Sequence, residues 1–260
     1  MILEGILILL LLATILLFFY RQAVKEFRIS QTEAFEKVPQ LLSERCPIVV
    51  YPFSPPRELW TYEDIQHRSG IFSIPIQVSP SEQDLVPLGN VIDQKTSTTF
   101  IQSKYSELIA HDVGLDIWVN HTLLPVFKQT MMAPLYSVVT QIRVGPQGLE
   151  QTYAYATVII PTEGTLRVSL LTESADPFLP KVWNGKRLSQ MTRDDTPFIG
   201  QIQTVEVIVR TGSALVVPAH WKVCWDDDAD NTKLSLAIWA EFHHPVSKFV
   251  KHIAKRRLHV

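Results

Sequence analysis

Cysteine is scarce: Cys46 and Cys224 are the only two in 260 residues, and neither sits in a CxxC or zinc-finger spacing. That excludes a disulfide framework and a structural zinc site and leaves both as small buried hydrophobes. Neither sign of charge is in excess, with 24 basic and 26 acidic side chains and a net charge of −2. The chain therefore has no global attraction for nucleic acid, and any basic surface must be local. There is no internal repeat, no low-complexity tract and no stretch that reads as a flexible linker, so one domain is the simpler organisation. A P-loop, a dinucleotide-binding glycine motif and a Gly-x-Ser-x-Gly elbow are all missing. With 46% apolar and 19% charged residues, the chain has enough apolar surface to bury a sizeable core.

What is present begins with residues 5–20 (GILILLLLATILLFFY), extended past Glu4 by Ile2 and Leu3. That run approaches the roughly 20 residues that a helix needs to cross a bilayer core. It lacks the positive start and small-residue cleavage site of a signal peptide, so it is expected to stay as an anchor. Phe18, Phe19 and Tyr20 suit an interfacial aromatic belt. Arg21, Lys25 and Arg28 follow them, which by the charge rule places the rest of the chain on the cytosolic side. The sequon Asn120-His121-Thr122 would then never meet the glycosylation machinery.

Residues 22–46 are expected to form a juxtamembrane helix and a short amphipathic helix, with Ser30-Gln31-Thr32-Glu33 as the N-cap of the second. Residues 47–53 (PIVVYPF) read as a buried strand, residues 60–70 as a short helix, residues 75–101 as edge strands and residues 103–127 as mixed helix and loop. From Tyr136 onward one strand follows another. Residues 137–144, 153–160, 166–171, 205–210, 214–217 and 234–242 are short β-branched or aromatic runs separated by Gly, Pro, Asp and Asn. Such spacing predicts a β-sandwich or jelly roll. Residues 247–260, with Lys248, Lys251, Lys255, Arg256 and Arg257, read as a basic helical tail. It is taken as a solvated terminal helix, with attraction to an anionic leaflet as the alternative.

Two stretches in this second half carry a resemblance. Gly212-Ser213-Ala214-Leu215-Val216-Val217-Pro218-Ala219-His220-Trp221 is a strand entered by a glycine turn and left through Pro-Ala-His-Trp. Gln141-Ile142-Arg143-Val144-Gly145-Pro146-Gln147-Gly148 is a strand followed by a double-glycine turn. In this order and at this distance they resemble the cupin-like, JmjC-related Fe(II)- and 2-oxoglutarate-dependent oxygenases. The stretches beginning at Ile29, Pro47 and Trp60 look like the same family, so the resemblance spans residues 29–242. It implies a mainly β fold, a double-stranded β-helix (cupin or jelly roll) with N-terminal helices beside the one transmembrane helix. The implied division is 1–21 anchor, 22–46 helices, 47–246 cupin-like domain and 247–260 basic tail.

The sequence departs from that family where its chemistry resides. A non-haem iron centre needs two histidines and one carboxylate on one face of the metal. The first two belong shortly after the Gly-Pro-x-Gly turn, where this chain reads LEQTYAYATVII, without histidine or aspartate and with Glu150 too near the turn to align. The distal histidine belongs two residues after Trp221, at Val223. His220 is the one metal candidate and reads more simply as a packed side chain. Arg167 is the candidate for a 2-oxoglutarate carboxylate and reads more simply as a surface strand residue. Tyr153, Tyr155, His220 and Trp221 are expected to line the pocket.

His243-His244 with Glu241 reads as a surface pair, since neighbours on a strand face opposite ways. Residues 226–231 lack the glycine and closing glutamate of a calcium loop and read as an acidic turn. The expectation is a membrane-anchored, non-catalytic cupin-like binding or scaffolding protein without a cofactor, with a protein partner possible and no nucleic acid. The alternatives are an oxygenase using Fe(II) and 2-oxoglutarate with an atypical ligand set, and a structural membrane protein of a large DNA virus.

Overall fold

β-Branched and aromatic residues fit a pleated surface that is covered on both faces, and here they assemble two sheets. The computed structural model describes residues 2–20, 28–53, 55, 60–67, 75–77, 85–87, 90, 105–128, 135–228 and 234–258. Strands β1 (Ser30–Thr32), β2 (Ile48–Val50), β5 (Ser137–Val144), β7 (Ala156–Glu163), β10 (Ala214–Pro218) and β12 (Leu236–His243) form one sheet in the order β1-β2-β10-β7-β12-β5. Strands β6 (Gln147–Gln151), β8 (Thr165–Leu171), β9 (Val205–Arg210) and β11 (Lys222–Asp227) form the other, in the order β6-β11-β8-β9. A short antiparallel pair, β3 (Pro75–Gln77) and β4 (Leu85–Pro87), stands apart. Apart from residue 90, the rest of the stretch expected to hold edge strands lies outside the described residues.

The sheets face each other over an inner core. It takes Ile159, Leu215 and Trp239 from the six-stranded sheet and Val168, Val209 and Trp225 from the four-stranded one. The opposite face of the six-stranded sheet carries Ile142, Val158, Val216 and Phe242 under a helical layer. That layer holds α2 (Tyr105–Asp112) and the helical turns of residues 115–127. Phe127 stacks on Phe242 at 4.2 Å and meets Phe35 edge-on at 5.9 Å, which ties the layer to the sheet. With both faces covered, β10 and β12 are buried at every residue. Pro161 stands inside the central strand β7, and the register shifts there between Leu236 and Ala237 of β12. A bulge is where a residue without an N–H is tolerated in a ladder.

Two expectations change. Ser30-Gln31-Thr32 is not a helix cap but the strand β1, paired in parallel with β2, and the helical turns begin after it at Phe35. Pairing with a β-branched neighbour outweighs the local capping preference. His243 and Glu241 are not on the surface: both are buried, because β12 lies between two other strands. His244 is half-buried at the start of helix α3 (Pro245–Leu258). Residues 30–46 are part of the fold, with Phe35, Val38 and Leu42 buried in the helical-side core.

The N-terminal run is helix α1 (Ile2–Tyr20). Its described side chains, residues 5–15, are all exposed. Among the described residues no helix is long and apolar enough to cross a membrane. Arg21 and Lys25 lie outside the described residues, as do residues 229–231 of the acidic turn.

Candidate functional site

The turn that ends the second motif meets the end of the strand that follows the turn of the first. Gly145 takes the left-handed conformation (φ 66°) between β5 and β6, and Gly212 does the same (φ 92°) before β10. A Cβ on Gly148 would lie 1.9 Å from the carbonyl oxygen of Gly185, so the second glycine of the first motif permits close backbone approach. The turn that leaves β10 is stitched to the end of β6 by Thr152. The Thr152 N–H donates to the Trp221 carbonyl, its Oγ1 donates to the Pro218 and Trp221 carbonyls, and its own carbonyl accepts from the His220 N–H. β11 then pairs with β6, so that Val223 stands opposite Glu150 and Lys222 opposite Gln151.

The inner side of this crossing holds a cation. Arg143 of β5 alternates with Ile142 and Val144 of the outer face and so points between the sheets, where its side chain is 2% exposed. Its Nη2 donates to Glu150 at 3.1 Å and to Gln141 at 3.4 Å. The guanidinium carbon lies 3.3 Å from the ring centre of Trp239 and 5.6 Å from that of Trp225. Burial pushes this guanidinium down to about 10 against the pull of Glu150 and Glu241. It remains charged at neutral pH.

Further along the inner face of β12, Glu241 accepts from His243 Nε2 at 3.0 Å and is ion-paired with Lys251 of α3. Burial opposes ionisation of Glu241. The hydrogen bond from His243 and the charge of Lys251 outweigh it and hold the carboxyl well below the usual range. Ser247 closes the same corner: its Oγ accepts from the His244 N–H while its own N–H donates to His244 Nδ1. These bonds form a capping box at the start of α3. The outer side of β11 carries a second buried cation, Lys222, paired with Asp176 and 5.3 Å from the ring centre of Trp183.

The sequence-predicted residues divide. His220 is buried with a left-handed backbone (φ 72°), and its Nδ1 lies 3.5 Å from Glu173. Trp221 is part of the inner core and donates from Nε1 to the Arg45 carbonyl. Tyr153 donates to Gln151 Oε1 at 3.1 Å. Tyr155 belongs to the other face, packed against the helical-side core at 6.2 Å from Tyr136 and 5.6 Å from His244. Arg167 is exposed on β8 opposite Asp226. Sequence reasoning missed Arg143, Glu150 and Trp239. The usable signal was a lone arginine inside the first motif between two residues of the outer face.

The donor set does not fit Fe(II). The two strands that the resemblance assigns to metal ligands bring Val223 against Glu150, and the Arg143 guanidinium lies 3.1 Å from that carboxylate. Among the described residues no group of three His, Cys, Asp or Glu side chains is placed to hold a metal ion. No family model and no curated protein sequence matches the chain.

Proposed function

We propose that this chain is a membrane-anchored, non-catalytic binding or scaffolding protein built on a cupin-like double-stranded β-helix. The support for that fold is the strand order. From β5 to β12 the chain passes repeatedly between two facing antiparallel sheets, giving β5-β12-β7-β10 in one and β6-β11-β8-β9 in the other. Support for the anchor is α1, whose described leucines and isoleucines are 41–71% exposed, an arrangement that lipid and not water would favour. The positive residues Arg21, Lys25 and Arg28 support a cytosolic domain.

The observation that carries the non-catalytic reading is Arg143. A divalent ion about 5 Å from a guanidinium is repelled by about 7 kcal/mol at an effective dielectric constant near 20. An arginine stacked on Trp239 and paired with Glu150 therefore takes the electrostatic role that a metal would have between the sheets. Elemental analysis of the purified full chain is expected to find Fe, Mn and Zn far below one equivalent, with chelator leaving thermal stability unchanged. Near one equivalent of metal, lost in His220→Ala, would overturn this reading. It would promote an oxygenase with an atypical ligand set, for which the pairing of His220 with Glu173 is the specific support. Orientation is tested at Asn120, which is exposed. The chain is expected to leave a eukaryotic host without a glycan there.

A further inference from the structure

We propose that the exposed face of α3 lies against anionic phospholipid headgroups, on the leaflet that α1 enters; this rests on the anchor reading of α1. The orientation of α3 about its axis is set by the protein. Ser247 and Val250 are buried, and Lys251 is drawn under the sheet to Glu241. Lys248, Phe249 and His252 are thereby left on the outside, with Phe249 53% exposed. Lys255 and Arg256 follow in the same helix at spacings of seven and eight residues from Lys248. Those spacings return to one side of a helix.

Three features separate this face from an ordinary solvated one. First, residues 242–260 contain no aspartate or glutamate. A helix in water usually intersperses the two signs, and no acidic residue of α3 offsets Lys248, Lys255 and Arg256. Second, an exposed phenylalanine among lysines is unfavourable in water and well placed at a headgroup boundary, where the ring enters the acyl edge and the ammonium groups stay with phosphate. Third, α1 and α3 touch each other in the fold, so the basic helix lies close to the apolar one. Fixed positive charge near a membrane-entering helix meets the negative surface potential of a leaflet within a Debye length.

The test uses the full chain with His252→Cys. Cys46 and Cys224 are buried, so an environment-sensitive fluorophore enters at that position alone. The protein is reconstituted in vesicles of phosphatidylcholine, with or without phosphatidylserine. The expected result is a blue-shifted emission, quenched by spin-labelled lipid, only in the phosphatidylserine vesicles, and reversed at high salt. The combined change Lys248→Glu, Lys255→Glu and Arg256→Glu should abolish it. At about fivefold per basic residue, the three together weaken the contact by at least about a hundredfold. An equally water-exposed label in both vesicle types would overturn the proposal. Carbonate extraction of the same vesicles reads α1 separately. Retention without a phosphatidylserine effect refutes the α3 contact alone. Release from the membrane together with flotation on phosphatidylserine vesicles refutes the anchor alone, and neither binding refutes both.

Discussion

Replacing Arg143 by methionine tests whether the charge between the sheets stabilises the fold. Burial lowers the guanidinium to about 10 from the usual 12.5 even with Glu150 and Glu241 nearby, a displacement worth roughly 3 kcal/mol against the charged form. Opposing it is the stacking on Trp239, worth about 0.5–2 kcal/mol. The ion pair with Glu150 is already contained in that displacement and is weak, because that carboxylate is 36% exposed and screened by solvent. Without the arginine, Glu150 turns to water and Glu241 keeps His243 and Lys251. Methionine refills most of the volume. Arg143→Met is therefore expected to lie between neutral and about 2 kcal/mol more stable than wild type. Arg143→Ala leaves a cavity and should lose about 2–4 kcal/mol. Urea denaturation followed by tryptophan fluorescence checks the order. A loss of more than about 2 kcal/mol in Arg143→Met would refute the reasoning, because the charge would then be a net stabiliser. With the guanidinium gone, the combination of Arg143→Met with Val223→His should bind Zn(II) beside Glu150, whereas Val223→His alone should not.

The Glu241 carboxyl is depressed below its unfolded value near 4.3, so its stabilisation is complete above that pH and is lost as pH falls through the folded value. After correction for the intrinsic exchange rate, protection over residues 245–258 should fall as pH drops below the ordinary carboxyl range, and Glu241→Gln should remove that loss. A separate loss below the ordinary histidine range should remain, because burial lowers His244, whose Nδ1 accepts from the Ser247 N–H. Gly148→Ala should cost about 2–3 kcal/mol or more, because the clash is with backbone. Gly185→Ala, with open space around it and only its φ of 82° to strain, should cost about 1–2 kcal/mol; equal costs in urea titrations would refute the close-approach reading. The Cys224 thiol, which burial pushes up to about 12, should resist aromatic disulfide reagents at pH 8 in the native protein and react only as the chain unfolds.

The periodic strands were legible before folding was considered. Residues 137–144 and 205–210 coincide with β5 and β9, because alternation of β-branched residues depends only on the pleat. Strands without that signature were not legible. β6 (QGLEQ) carries a glycine and three polar side chains, and β11 (KVCWDD) runs into an acidic stretch, so each is a strand through its partner and not through its composition. β1 reads as a helix cap until β2 lies beside it.

The same division runs through the site. Gly145, Gly148, Gly212 and the Pro218–Trp221 turn were visible as motifs, since tight turns and close approach demand particular residues. The inward placing of Arg143 and Glu241 was not. Alternation tells which side chains share one face of a strand, and a charged residue between apolar ones then reads as facing water. When the second sheet covers that face, only the tertiary structure decides that the charge is buried. Residues distant in sequence then supply its partners: Trp239 on β12 for Arg143, and Lys251 on α3 for Glu241.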